Sequence, residues 1–271
     1  MSHISFSELK QWVECPWKHK LNYIDQINQF KGNEHTAFGT AMHTVCESLT
    51  LNDNKEDFDW STYDANDHFE KEFIKNLKKV KEADPALSFN SNLISDMRKQ
   101  GKHLTQFILP GLKKTFGKFD LVSVEEKLYE DLLDCPVPKK FKGFIDLVIY
   151  TPGDKKYHII DWKTCSWGWD SRRKTDKMVT YQLTLYKHFW CQRHDKKYSD
   201  VSTHFALLKR TAKKNNAEIF KVSNGSKKIN NALKLLNKAV YNIQKKSFIK
   251  NRLSCYGKFG ICEYYKTNHC S

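Results

Sequence analysis

Polar and apolar positions along the 271-residue chain follow two different periods, and the changes between them mark out its elements. Leu121, Val122 and Val124 fall among polar neighbours across 120–130, which predicts a strand. Phe144–Tyr150 and Tyr157–Lys163 are rich in β-branched and aromatic residues. They flank Thr151-Pro152-Gly153-Asp154, so 141–163 reads as a β-hairpin closed by strong turn chemistry. Leu183, Tyr186 and Trp190 recur at helical spacing, predicting a helix over 178–192. Strands follow over 200–209 and 217–222, joined by a basic turn, and then a helix over about 226–247. Ahead of the strands, helices are predicted over 5–25, 40–50, 64–82 and 92–117. Ser5 and Glu8 suit a capping box at the first of these, and Pro16 should break it near Cys15.

This order predicts an α/β (α+β) fold, a mixed sheet flanked by helices, with an inserted N-terminal helical region. The chain reads as one domain over 1–271. It divides into a helical region over about 1–118, an α/β core over about 119–223, and a C-terminal helix with a cysteine segment over about 224–271. No internal repeat or low-complexity tract interrupts it.

The hairpin register has a chemical consequence. Positions 146 and 161 are equidistant from the point between Gly153 and Asp154. A ribbon folded there sets Asp146 opposite Asp161, about 5 Å apart at Cβ. Lys163 lies two residues further on and shares the face of Asp161. Facing carboxylates repel, so one stays protonated unless a cation lies between them. A divalent ion resolves the conflict and gives the pair a use. The competing reading is a solvated Asp161–Lys163 surface pair, worth little. The neighbours Ile145, Leu147, Ile149, Ile159 and Ile160 argue against it, because they mark both strands as largely buried. Lysine beside two carboxylates stays protonated, which favours an electrostatic role for Lys163 over that of a general base.

Charge narrows the partner. The chain carries 46 basic and 31 acidic residues, a formal net charge of +15. A basic surface with dispersed Lys/Arg pairs suits nucleic acid held through its phosphates. No run approaches the roughly 20 apolar residues of a membrane span. The N-terminus shows no secretion signal, so the expected location is cytoplasmic, or host cytoplasm for a viral protein. The eight cysteines then read as free thiols or metal ligands, not disulfides. Trp167 and Trp169, followed by Arg172, Arg173 and Lys174, suit base stacking and phosphate contact on a single strand. The alternative there is a loop tied down by one buried tryptophan.

Gly143-Phe144-Ile145-Asp146 followed by Asp161-Trp162-Lys163 resembles the catalytic signature of the PD-(D/E)XK nuclease superfamily, in particular its RecB-type branch, which includes the CRISPR-adaptation and AddB nucleases. Further short matches run in order along nearly the whole chain. They are Ser5-Phe6-Ser7 with Cys15-Pro16-Trp17-Lys18 and Tyr23, Phe38-Gly39-x-x-x-His43, and Gln182-x-x-x-Tyr186.

The resemblance implies a restriction-endonuclease-like α-β-β-β-α-β core. It implies His43 as a nitrogen ligand to Mg2+ or Mn2+ and the Trp162 backbone carbonyl as a further oxygen, beside Asp146 and Asp161. It also implies Glu125 as another acid ahead of the hairpin, with Glu126 facing away, and Gln182 and Tyr186 lining the site. Cys15, Cys255, Cys262 and Cys270 resemble the branch's [4Fe–4S] ligands. Their Cys-x6-Cys-x7-Cys spacing is looser than the family's Cys-x2-Cys-x5-Cys, and zinc or plain buried thiols remain open.

The expected function is a divalent-metal-dependent DNA exonuclease in DNA recombination, repair or degradation, partnered by DNA and by a helicase or recombination protein. The alternatives are a non-catalytic DNA-binding or assembly subunit, a structure-specific endonuclease, and an RNA nuclease.

Overall fold

Leu147 pairs with Ile160 and Thr151 with Lys156, so the hairpin folds about the point between Gly153 and Asp154 in the register its sequence predicts. The structure, a computed structural model, describes residues 3–27, 31–133, 135–257 and 260–271. Its elements run β1 (His3–Ser5), α1 (Phe6–Glu14), α2 (Pro16–His19), a π-helical turn (Lys20–Ile24), α3 (Glu34–Asp53), α4 (Ala65–Ala83), α5 (Ser91–Thr105), α6 (Ile108–Phe116), β2 (Asp120–Asp131), β3 (Lys140–Thr151), β4 (Lys156–Cys165), α7 (Ser171–Thr175), α8 (Lys177–His194), β5 (Val201–Lys209), β6 (Ala217–Val222), α9 (Ser226–Gln244), β7 (Tyr256–Gly257) and β8 (Gly260–Ile261). The order confirms a mixed α/β fold with its sheet flanked by helices. Among the described residues no helix is long and apolar enough to cross a membrane.

The chain forms two compact units. One comprises residues 31–127 and 144–224. Here β4 pairs antiparallel with β3 and parallel with β5, and β6 closes the edge antiparallel to β5. Strand alternation divides the sheet's side chains between two faces. Leu147, Ile149, Ile160, Trp162, Ala206 and Leu208 join a core built with Phe38, Met42, Phe69, Phe73, Met97, Leu104 and Ile108 from α3–α6. Asp146, Asp161 and Lys163 have the opposite parity.

Two local devices shape the helical layer. Asn33 and Thr36 form a reciprocal capping box that starts α3 earlier than the predicted position 40. The predicted helix over 92–117 is broken into α5 and α6 around Gln106-Phe107. Pro110 explains the break, because its ring conflicts with the carbonyl four residues back, at Gln106. Gly101 is needed for packing, since a Cβ there would lie 2.0 Å from Phe69 Cζ.

The other unit comprises residues 1–30, 128–143 and 225–271. In it β1 pairs in parallel with Lys140–Lys142, and Leu21, Tyr264 and Cys270 form a small core with Trp17 and Cys262. Ser5 Oγ accepts from the Glu8 N–H at 3.1 Å, which is half of the predicted capping box. The reciprocal half is absent, because the Glu8 carboxylate turns to buried His19, with Oε1 3.0 Å from Nε2. Pro16 breaks the first helix at Cys15, as its sequence predicts.

Candidate active site

The site is assembled in the 31–127/144–224 unit from β2, β3, β4, α3 and α8. Asp146 projects from β3 and Asp161 and Lys163 from β4, all with one strand parity. His43 comes from the middle of α3, and its Nδ1 lies 3.5 Å from Asp146 Oδ2. The same Asp146 oxygen accepts the Trp162 backbone N–H at 2.7 Å, which fixes the carboxylate across the hairpin. Lys163 Nζ lies 2.5 Å from Asp161 Oδ2. From α8, Gln182 Nε2 donates to Tyr186 Oη at 3.2 Å.

Glu125 completes the cluster by an unusual backbone. Its φ is +47° inside β2, a left-handed conformation that costs a non-glycine residue of order 1 kcal/mol or more. Such a residue within a strand breaks the simple alternation of side chains, as at a β-bulge. Ligand atoms of His43, Glu125 and Asp146 lie within 4.8 Å of one another, and among the described residues this is the one such set of metal-ligating types. Asp161 stands outside it, turned to Lys163.

Glu126 serves a different cluster. Its Oε2 accepts from Ser123 Oγ at 2.6 Å and from Trp190 Nε1 at 3.1 Å. Its Oε1 lies 2.7 Å from His194 Nε2 and 3.5 Å from Arg193 Nη1. Three of these partners, Trp190, Arg193 and His194, tie β2 to α8 through the residue next to Glu125.

The electrostatics separate the two aspartates. Burial pushes Asp161 up to about 6, opposed by the Lys163 ammonium and reinforced by Asp146. Asp146 is held low despite burial, by the charges of His43 and Lys163 and by the Trp162 N–H. Lys163 stays above its ordinary range because Asp161 and Asp146 outweigh its desolvation. His43 is likewise raised, its burial being overcome by Asp146. Burial and the Asp146 charge raise Glu125. Tyr186 is pushed up to about 12, first by burial and then by Asp161.

These residues fit a divalent ion. One imidazole with two or three carboxylates is a hard N/O donor set of the kind Mg2+ and Mn2+ accept. Asp161 is 1% exposed, and its Oδ2 makes no hydrogen bond of proper geometry despite the close ammonium. A buried carboxylate oxygen with vacant acceptor capacity suits a cation.

The remaining residues singled out from sequence lie elsewhere. Trp169 is buried, edge-on to Phe205 at 5.0 Å, with the Arg173 guanidinium over its ring at 4.5 Å from the centroid. No base can stack on an indole so enclosed, which corrects the pairing of Trp169 with Trp167 as stacking residues. Lys174 is ion-paired with Glu218. Trp167 and Arg172 are exposed. In the other unit, Cys15, Cys255, Cys262 and Cys270 line one small cavity with Trp17 and Tyr264, and all four are free thiols.

Sequence reasoning missed the Glu126 cluster and the left-handed Glu125. Glu126 and its partners on α8 lie more than 60 residues apart, and no local pattern announces either feature.

The family model of the PD-(D/E)XK nuclease superfamily matches residues 3–267. No curated protein matches the sequence. Among solved structures, the chain is similar to a candidate exonuclease of Eubacterium rectale. The two are 12% identical with a TM-score of 0.56, over 93% of this chain and 84% of that one. A likeness at that identity shows the fold. A second structure, SSO0001, is 13% identical with a TM-score of 0.34, over 90% and 91% of the two chains.

Proposed function

Because the chain belongs to the PD-(D/E)XK nuclease superfamily, we propose that it is a divalent-metal-dependent deoxyribonuclease that cuts phosphodiester bonds from DNA ends, in DNA recombination, repair or degradation. The observation that carries this reading is the gathering of His43, Glu125 and Asp146 within 4.8 Å, beside the Asp161–Lys163 pair. The preference for ends rests on the resemblance of the motifs to RecB-type nucleases. A helicase or recombination protein is the proposed partner, on the same resemblance.

His43, Glu125 and Asp146 would hold the ion, with Asp161 and the Trp162 carbonyl as further oxygens. Bound there, a divalent ion supplies charge neutralisation at the phosphorus and a more acidic water. The chain's own groups do the rest. Lys163, kept protonated by Asp161 and Asp146, sets a fixed ammonium against charge developing on the phosphoryl oxygens. Gln182 and Tyr186 present a paired amide and phenol that position the scissile strand. Arg172 and Trp167 are proposed nucleic-acid contacts.

The four cysteines are proposed as ligands of a [4Fe–4S] cluster, because they line one cavity as free thiols. The cluster's role would be to fasten Cys15 to the C-terminal segment. Iron, sulfide and zinc content of anaerobically purified protein tests this, and protein free of all three defeats it.

Purified protein is incubated with linear duplex, circular duplex, single-stranded DNA and RNA, in Mg2+, Mn2+ or chelator. We expect metal-dependent loss of linear DNA, with Asp161→Ala inactive yet folded by circular dichroism. Products from circular DNA would indicate an endonuclease, and RNA products a ribonuclease. If every substrate stays intact, the enzyme reading fails.

A further inference from the structure

Trp167 and Trp169 flank Gly168 and have opposite fates: Trp167 is 79% exposed and Trp169 is 8% exposed. The turn between them needs glycine, whose φ is +123°. Both sides of Trp167 are anchored. Before it, the Ser166 carbonyl accepts from the Thr211 N–H at 2.9 Å and from Thr211 Oγ1 at 3.0 Å. After it, Trp169 is wedged against Phe205 and Phe220, with ring centroids at 5.0 and 6.1 Å. The exposed indole therefore sits on a fixed backbone, and holding a planar ligand there costs little ordering entropy.

Arg210 is held by the same strap. Its N–H donates to the Cys165 carbonyl at 2.9 Å, and its Nη2 to Ser166 Oγ at 3.4 Å. Its Nη1 donates to Gln100 Oε1 at 3.3 Å, and the guanidinium lies 5.3 Å over the Phe38 ring. These partners are all neutral, and among the described residues Arg210 has no ion pair. A half-buried guanidinium held without a counter-charge, with donors to spare, is suited to an anion. Trp167 follows Lys163 by four residues, at most about 13 Å of extended chain.

We propose that Trp167 and Arg210 form a nucleotide platform for single-stranded nucleic acid, with a base stacked on the indole and a backbone phosphate on the guanidinium. This rests on the nucleic-acid reading of the neighbouring site and narrows its substrate class. Duplex ends keep their bases stacked and hydrogen-bonded, so an indole that takes a base selects strands already unpaired.

The test is binding of a labelled oligothymidylate and of a labelled blunt hairpin duplex, by fluorescence anisotropy in EDTA, where no cleavage is needed. Trp167→Ala should weaken oligothymidylate binding about 5- to 150-fold and Trp167→Phe far less, since alanine removes the stacking surface. Arg210→Gln should weaken it and lower the salt slope by about one. Hairpin binding should be unchanged in Trp167→Ala. The proposal is overturned if wild-type protein does not bind the oligothymidylate. It is also overturned if Trp167→Ala binds as wild type does, or loses both ligands equally. Trp167-dependent binding by a protein that never cuts would sink the nuclease reading and leave the platform standing. Metal-dependent cutting with binding indifferent to Trp167 would do the reverse.

Discussion

Glu125 and Glu126 are consecutive in β2, yet one carboxylate joins His43 and Asp146 while the other is locked by Ser123, Trp190, Arg193 and His194. The +47° φ of Glu125 lies between these two commitments. Glu126 is thus a clamp on the strand beside the left-handed backbone of Glu125. Glu126→Ala should weaken Mn2+ binding, by releasing the backbone that presents Glu125, and calorimetric titration reads it directly. It should also lower stability, because the buried Trp190 N–H loses its acceptor. A variant with lower stability but wild-type Mn2+ affinity would show that the clamp serves only the fold.

Replacing Glu125 itself separates strain from chemistry. Glycine adopts the left-handed conformation without penalty, so Glu125→Gly should retain or gain up to about 1 kcal/mol of stability. It should at the same time lose metal affinity. Chemical denaturation with and without Mn2+ measures both. A clear loss of stability in the metal-free protein would mean that the backbone at Glu125 is not strained.

Metal should stabilise the folded protein through its ligands. At a Mn2+ concentration a hundredfold above Kd the gain is about 2.7 kcal/mol, visible as a rise in Tm. Asp146→Ala should remove that rise, since Asp146 is common to the His43 contact and the Trp162 N–H bond. An equal rise in the variant would place the ion elsewhere.

The buried pair of His158 and His204 should make the fold acid-sensitive. His204 Nε2 lies 3.1 Å from His158 Nδ1, and His158 Nε2 lies 2.8 Å from Thr151 Oγ1. Phe116 packs on both rings. Burial, with His158 and Lys221 adding to it, pulls His204 down to about 3. Burial also lowers His158, helped by Lys221 and Lys156 against Asp154. The unfolded chain binds protons on these rings near pH 6.5, so below that pH it binds more than the folded state does. Through His204, stability then falls as pH drops from about 6.5 toward 3, by up to about 1.4 kcal/mol per pH unit, and His158 acts in the same direction. His204→Gln should flatten this limb in urea melts across pH. An unaltered slope would rule the pair out as its cause.

The residues that declare themselves in sequence are those governed by local rules. The hairpin register follows from the turn at Gly153-Asp154, and the shared face of Asp161 and Lys163 follows from strand alternation. The helix bearing Gln182 and Tyr186 follows from its apolar period. Pro110 is a local signal as well, and it splits the helix predicted over 92–117 at Gln106-Phe107. Elsewhere the determinant is non-local. Trp167 and Trp169 are identical in type and nearly so in context. Their difference comes from the ring pocket of Phe205 and Phe220 and from the strap to Thr211, both more than 30 residues away. Glu125 deviates from strand geometry beside a residue whose partners lie on a distant helix, and alternation alone cannot foresee that.

The division of the chain also sets a timetable for biosynthesis. The segment carrying the acidic cluster is complete at Asn224, whereas the unit containing Cys15, Cys255, Cys262 and Cys270 draws on residues 1–30, 128–143 and 225–271. A chain still on the ribosome can therefore close the first of these while its N-terminal helix waits for partners not yet translated. Contacts of such long sequence separation form slowly. During that interval the exposed thiols of the nascent chain are open to oxidation or to metal capture.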